Sequence, residues 1–362
     1  MTREQAVADR FKVRGYNDFD PRERVRNETE RIVCILNPRA RAGSAGARVG
    51  ELKRALDRCF AQGEVVVTEG PGHASELAAE ALAGGADIVA AVGGDGTCNE
   101  VVNGFFDGER PRRRSAIFSV IPWGTGGDLA RSINAPKSMG DALWIAAMGM
   151  TLPSDVGHLR YTRADGGDGE RIFINVAGFG ANGEVVSRAN KSSKRFGGTA
   201  SFLSATLATL VNYQPGRMTL TWEGPDGPGS WSGELLSAFV ANGQYCGGGM
   251  HVGKGGSMHD GWFDLTLLPP MSLGRSVSQS WRLYDGSMTK IPGVIRARAS
   301  SVEARCEDDS RSILLDVDGE QPGKLPASFK VIPRPLQIRG GWLRSPLLDE
   351  DRPTWKPGAT RR

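Results

Sequence analysis

Gly93-Gly94-Asp95-Gly96-Thr97 follows an apolar run, Ile88 to Val92, and opens a segment of helical character, Cys98 to Phe106. A strand that ends in glycines and feeds a helix N-terminus is a phosphate site. The glycines let backbone N–H groups approach an anion, and the helix end adds donors and a favourable dipole. The carboxylate of Asp95 has no place in a pure anion cradle; it implies a metal ion, a hydroxyl or a proton to be handled. A tight strand-to-helix turn without a ligand is the plainer reading of the same residues. A second turn of this kind follows one unit later. Ile117 to Ile121 reads as a strand, and Pro122-Trp123-Gly124-Thr125-Gly126-Gly127-Asp128 leads into Leu129-Ala130-Arg131. Two Gly-rich turns at successive strand ends place a ligand at the carboxyl edge of an open parallel sheet.

The elements that must hold these turns are legible nearby. Residues 31–135 alternate strand and helix. Arg31 to Leu36 reads as a strand, Val49, Leu52, Leu56 and Phe60 fall at helical spacing, Glu64 to Thr68 is a second strand, and Gly72 to Leu82 an Ala-rich helix. Asp87 to Val92 and Ile117 to Ile121 complete a parallel α/β pattern with right-handed connections. The character changes near Pro153. Beyond it, strand-like runs alternate with Gly-rich turns: Arg171 to Val176, Met218 to Trp222, Leu235 to Ala241, Trp262 to Leu268, Ser312 to Val317 and Ser328 to Ile332. Ser201 to Tyr213 reads as an apolar helix among them. The expected organisation is a charged extension (1–30), an α/β nucleotide-binding domain (31–150), a mainly β domain (151–333), a segment that packs back on the first domain (334–348) and a polar tail (349–362).

Composition bounds the partners. The 362 residues suit two domains, and 39% hydrophobic content with a net charge of +4 marks an ordinary globular protein rather than a nucleic-acid binder. The five cysteines are scattered without a CxxC pair, which argues against a disulfide framework and against structural zinc. A cytoplasmic location is expected. The polar first residues predict no signal peptide, and no apolar run reaches the ~18 residues of a membrane span.

Taken in order, these residues resemble a known family. Asn37-Pro38 with its Gly-containing loop, Thr68 with Gly72-His73-Ala74, Gly93-Gly94-Asp95-Gly96-Thr97-x-Asn99-Glu100 and Gly124-Thr125-Gly126-x-Asp128-Leu129-Ala130-Arg131 look like the diacylglycerol kinase and sphingosine kinase catalytic-domain family, most of all its stand-alone bacterial lipid kinase branch. Met258-His259-Asp260-Gly261-Trp262-Phe263-Asp264 and Asp318-Gly319-Glu320 extend the match over roughly residues 31–340. The Gly-Gly-Asp-Gly-Thr run alone is also similar to NAD kinases and phosphofructokinases.

The resemblance implies a Rossmann-like α/β nucleotide domain and a C-terminal β-sandwich, with a lipid entering between them. ATP and Mg²⁺ are implied. Gly94, Asp95, Gly96, Thr97, Cys98, Asn99 and Glu100 would line the phosphates, Thr68 and Thr125 would contact the nucleotide, and Asn37 would lie over it. Arg39 and Arg41 could add charge or simply be solvated. Glu320 matches the proposed general base, needed because the attacking hydroxyl must lose its proton as it takes the γ-phosphoryl group. Asp95 is the rival for that role, or holds Mg²⁺. Asp260, with oxygens of Ser257 and Trp262, would bind a second, structural Mg²⁺, a hard cation suited to few protein oxygens and water. Departures bear on the lipid: Gly127 and Asn182 stand where the family has Asn and Asp, and Lys254-Gly255-Gly256 lacks its proline.

The implied activity is phosphorylation of a lipid hydroxyl, diacylglycerol first, with sphingosine-like bases, ceramide and phosphatidylglycerol as further acceptors. An NAD kinase and a non-catalytic nucleotide- or lipid-binding protein are the alternatives. A homodimer stays open. Lys191, Lys194, Arg195 and Phe196 before the 201–213 helix, and the Arg110, Arg112, Arg113, Arg114 cluster, are candidate peripheral membrane contacts or solvated surface.

Overall fold

A computed structural model describes residues 26–40, 49–123, 127–191, 206, 209, 212–308 and 310–341. The first half runs β1 (Asn27–Leu36), α1 (Val49–Cys59), β2 (Phe60–Val67), α2 (His73–Ala83), β3 (Ile88–Gly93), α3 (Asp95–Gly104), the small hairpin β4 (Phe106–Asp107) and β5 (Arg110–Pro111), β6 (Ile117–Pro122), α4 (Asp128–Ser132) and α5 (Met139–Met148). β6, β3, β1 and β2 lie side by side in that order, all parallel. Helices cover both faces, so the strands read as continuous apolar runs; β3 is buried at every residue. The period of two in β1 sorts its side chains. Val33 and Ile35 pack with Ala78 of α2 and Val101 of α3, whereas Ile32, Cys34 and Leu36 pack with Leu56 of α1 and Leu143 of α5.

The second half runs β7 (Thr151–Thr162), β8 (Asp168–Phe173), β9 (Val176–Gly180), α6 (Ala181–Lys191), β10 (Gly216–Gly224), β11 (Gly227–Leu235), β12 (Ser237–Ala241), the hairpin β13 (Tyr245–Cys246) and β14 (Met250–His251), β15 (Phe263–Leu268), α7 (Leu273–Gln279), β16 (Ile295–Ala299), β17 (Ser301–Cys306), β18 (Leu315–Val317) and β19 (Lys324–Arg339). It is an antiparallel sandwich. One sheet has the order β16-β15-β12-β9-β18; the other is the far end of the same ten-stranded sheet that carries the parallel strands. Between them Phe173 stacks on Phe263 at 5.4 Å and Phe179 on Phe329 at 6.1 Å, a contact geometry that adds to the apolar burial. The expected α/β domain followed by a β-sandwich is what the chain forms.

β19 joins the halves. Ser328 to Lys330 pair with β17, and Gln337 to Arg339 pair in parallel with β6. Between these stretches the register against β7 shifts, and Arg334 takes a positive φ of 54° in a Pro-Arg-Pro bulge. The Leu235 to Ala241 run is one strand by sequence. The structure divides it at Leu236, where the chain leaves β11 for β12 of the opposite sheet. The helix expected over 201–213, and residues 1–25 and 342–362, lie largely or wholly outside the described residues.

Candidate active site

The Gly-rich turn after β3 places the N-terminus of α3 at the carboxyl edge of the parallel sheet. Gly94 is the extended N-cap residue and has no side chain to satisfy the first-turn amides, which leaves the donors an anion needs. Asn37, at the end of β1, donates through Nδ2 to Thr97 Oγ1 at 3.1 Å. Thr68 follows β2, and its N–H donates to the Leu36 carbonyl at 2.9 Å. The structure thus gathers Asn37, Thr68, Gly94, Gly96 and Thr97 at adjacent strand ends. Thr125 lies outside the described residues.

Asp95 does not stand free in the cradle. Its Oδ2 accepts from the N–H groups of Gly127 and Asp128 at 2.9 and 3.2 Å, and its Oδ1 from Leu129 at 3.0 Å. The carboxylate caps α4, so one Gly-rich turn is fastened to the other. Gly127 has φ 85°, a conformation only glycine adopts cheaply.

Cys98, Asn99 and Glu100 point away from the cleft, because the helix turns them toward the interior. Cys98 is 2% exposed, and burial pushes its thiol well above the usual range. The Glu100 carboxylate accepts from Ala74 N–H at the start of α2. Asn99 is fully buried and bridges the domains. It donates to Asp318 Oδ2 at 2.7 Å and to the Ile172 carbonyl at 3.1 Å, and accepts from Arg171 Nε at 2.7 Å. These three residues hold the Gly-rich turn in place rather than line the cleft.

Glu320 reaches the loop from the other side. Asp318 and Gly319, with φ 50° and 85°, form a tight turn closed by the paired backbone bonds of Val317 and Glu320. The turn projects Glu320 over α3: a Cβ added to Gly96 would lie 2.8 Å from Glu320 Oε1. Asp318 anchors the turn. Its carboxylate is 6% exposed and accepts from the N–H groups of Ile174, Asn175 and Val176 as well as from Asn99. Burial pushes its carboxyl upward against the pull of those donors. Half-buried Asp316 is pushed up to about 8, first by burial, against the bond from Gly319 N–H, with the Asp318 and Glu320 charges adding to the rise. Asp128 makes the reciprocal clasp, accepting from Gly248 N–H of the second domain at 2.7 Å while paired with Arg131. Sequence reading quoted Asp128 and Asp318 as motif letters and missed these roles. The Asp-Gly pair, a hairpin-turn signal, marked the second of them.

Asp318→Ala would leave three buried backbone N–H groups without an acceptor and remove one of the two acceptors of Asn99 Nδ2. The expected cost is about 3 kcal/mol or more, read as a lowered urea midpoint with an unchanged slope. A midpoint equal to wild type would remove Asp318 as the anchor.

The Ser257, Asp260, Trp262 set does not fit a bare cation. Asp260 Oδ1 accepts from Trp262 N–H, and its Oδ2 takes the Arg298 guanidinium in a pair 14% and 18% exposed. The guanidinium also lies 5.6 Å from the Trp262 ring, and Ser257 Oγ accepts from His259 N–H. The positive charge expected from Mg²⁺ is supplied by an arginine on β16, and buried Asp155 ties down the loop through Gly261 N–H at 2.7 Å. Without nucleotide, wild-type melting midpoints in EDTA and in Mg²⁺ should agree within about 1 °C, whereas Arg298→Ala, which strips a mostly buried partner, should lose on the order of 3 kcal/mol. A Mg²⁺-dependent rise that Asp260→Ala abolishes would restore the cation.

Comparison with known proteins agrees with this architecture. Residues 31–159 match the family described as diacylglycerol kinase catalytic domain, and residues 175–340 the family described as YegS C-terminal NAD kinase beta sandwich-like domain. The chain is 28% identical over 277 residues to a "Probable lipid kinase YegS-like" of Xanthomonas oryzae pv. oryzae, covering 76% of this chain and 85% of that one. It is 25% identical over 312 residues to the diacylglycerol kinase of Bacillus subtilis, covering 85% and 96%. A crystal structure of a diacylglycerol kinase from Bacillus anthracis superposes with a TM-score of 0.63 at 19% identity, over 86% of this chain and 97% of that one. Residues 31–159 belong to the diacylglycerol kinase catalytic-domain family and residues 175–340 to the YegS C-terminal family, and the two stretches together span most of the chain. It is a lipid kinase.

Proposed function

We propose that the chain transfers the γ-phosphoryl group of ATP to the free hydroxyl of diacylglycerol, giving phosphatidic acid, with Glu320 as the general base. The observation that carries this reading is the Glu320 carboxylate lying over Gly96 at the start of α3. A proton acceptor from the second domain faces the amides where the first domain would seat phosphates. An acceptor hydroxyl between them loses its proton to Glu320 Oε1 as its oxygen bonds to phosphorus and the bond to ADP breaks. Phosphoryl transfer needs little covalent help from protein, so positioning dominates. Asn37, Thr68, Thr97 and the α3 amides bind and orient the triphosphate, with Mg²⁺ neutralising its charge when bound. Asp95 fixes the spacing of the two turns. Diacylglycerol is the acceptor for which the Bacillus subtilis relative is named.

The test is ATP consumption and product chromatography in mixed micelles carrying diacylglycerol, ceramide, sphingosine or phosphatidylglycerol, with NAD as a soluble acceptor. Phosphatidic acid as the main product is expected. Dominant turnover of another lipid would replace the acceptor, and turnover of NAD alone would overturn the reading.

A further inference from the structure

Among the described residues, four large apolar side chains are more than a third exposed, and two of them, Trp281 and Tyr284 at 54% and 53%, stand three residues apart. They lie on the segment that follows α7. Its inner side is anchored: Leu283, Met288 and Ile291 pack with Val176, Phe239 and Met250. A Cβ added to Gly286 would lie 2.9 Å from His251 Nδ1 and from the Lys254 side chain, so the turn rests on the loop after β14. Tyr284 lies within electrostatic range of Asp128. The segment therefore rests, on a fixed support, beside the β13–β14 hairpin, whose Gly248 N–H bonds Asp128 of the first domain.

Cations outnumber acids around them. Arg282 lies over the Trp281 ring at 4.6 Å. Arg275, Lys290 and Lys254 are exposed along the same stretch. The acid among them, Asp285, is engaged by the N–H and hydroxyl of Ser287 and has Arg282 and Lys290 nearby. Aromatic rings with polar tips, ringed by arginine and lysine, suit the headgroup region of an anionic bilayer. A protein-binding patch shares the aromatic and arginine content but is depleted in lysine, so Lys254 and Lys290 favour the bilayer. The clusters flagged from sequence offer less: Arg112 and Arg113 pair with Asp107 and Asp87, and 192–196 lies outside the described residues.

We infer that the 275–290 segment is a membrane-docking element: Trp281 and Tyr284 insert among the headgroups of an anionic lipid surface, and Arg275, Arg282, Lys290 and Lys254 hold it there, so that the cleft opens onto the bilayer. The inference rests on the proposed lipid acceptor for its purpose, but not for its measurement.

The experiment is co-sedimentation of the nucleotide-free 362-residue chain with phosphatidylcholine vesicles, with and without phosphatidylglycerol. Binding to the anionic vesicles is expected, with partition falling about tenfold or more in Trp281→Ala/Tyr284→Ala as both apolar anchors are lost. Arg275→Glu/Lys290→Glu should weaken it as well, and Trp281→Phe should retain most of it. Melting midpoints check that the variants fold. Phosphorylation of a short-chain, water-soluble diacylglycerol should stay within about twofold of wild type in the aromatic variant, because the rings hold the surface and not the reacting hydroxyl. The proposal is overturned if the aromatic variant keeps its partition, if wild type binds neutral vesicles equally well, or if the substitutions change only the oligomeric mass. If vesicle binding follows the pattern but no lipid is phosphorylated, docking stands and the acceptor reading falls.

Discussion

Glu320→Gln is expected to bind ATP with nearly unchanged Kd and to lose about 10²-fold or more in kcat, the usual span for a positioned base. The amide has almost the same shape, and the Val317–Glu320 turn that carries it is held by backbone bonds and by Asp318, none of which the substitution touches. What disappears is an acceptor for the hydroxyl proton over Gly96. In the proposed site the nucleotide contacts belong to the first domain, so a binding isotherm with a nonhydrolysable ATP analogue should overlay wild type. A loose transition state needs less of a base and would shrink the loss. A fall in kcat smaller than about threefold would leave Glu320 as a turn residue and remove it from proton transfer.

The parallel half of the fold was legible because its strands are buried on both faces and read as apolar runs ending in Gly-rich turns. The β-sandwich was only partly legible. β7 was missed because Pro153, Asp155 and Gly157 interrupt its pattern; in the folded chain Asp155 caps Gly261 and Arg334, and Gly157 leaves room for the Phe173 ring, which a Cβ would meet at 2.0 Å. Long-range packing, invisible to periodicity, decides both. The site shows the same division. Glycines and threonines at strand ends predict a phosphate loop from local chemistry alone, and the fold does bring them to one sheet edge. That Asn99 bonds Asp318 across 219 positions, or that Arg298 rather than a cation faces Asp260, depends on partners brought together only by the fold. The Asp260 loop shows the limit of transfer by motif: the residues match a metal site, and a guanidinium from another strand occupies the carboxylate.

The second large effect is expected for Asp95→Asn, and it should differ in kind from that of Glu320→Gln. The Asp95 carboxylate accepts from three backbone N–H groups, those of Gly127, Asp128 and Leu129. An asparagine has one oxygen, so its NH₂ must face at least one of those donors, and the cap on α4 is broken. Loss of a helix cap costs about 1–2 kcal/mol, which a folded domain of this size tolerates. The chemistry is less tolerant. The second Gly-rich turn is no longer held against the first, and displacement of a binding element by about 1 Å lowers transfer on the order of 10²-fold. Because both turns belong to the nucleotide side, KM for ATP should rise as kcat falls, whereas Glu320→Gln moves kcat alone. Steady-state kinetics over a range of ATP concentration, together with a melting curve, separates the two. A variant with near-normal kcat and KM would show that the clasp between the turns is dispensable. If instead Asp95→Asn is inactive with unchanged ATP affinity while Glu320→Gln turns over normally, the proton goes to Asp95, and the carboxylate that caps α4 is also the base.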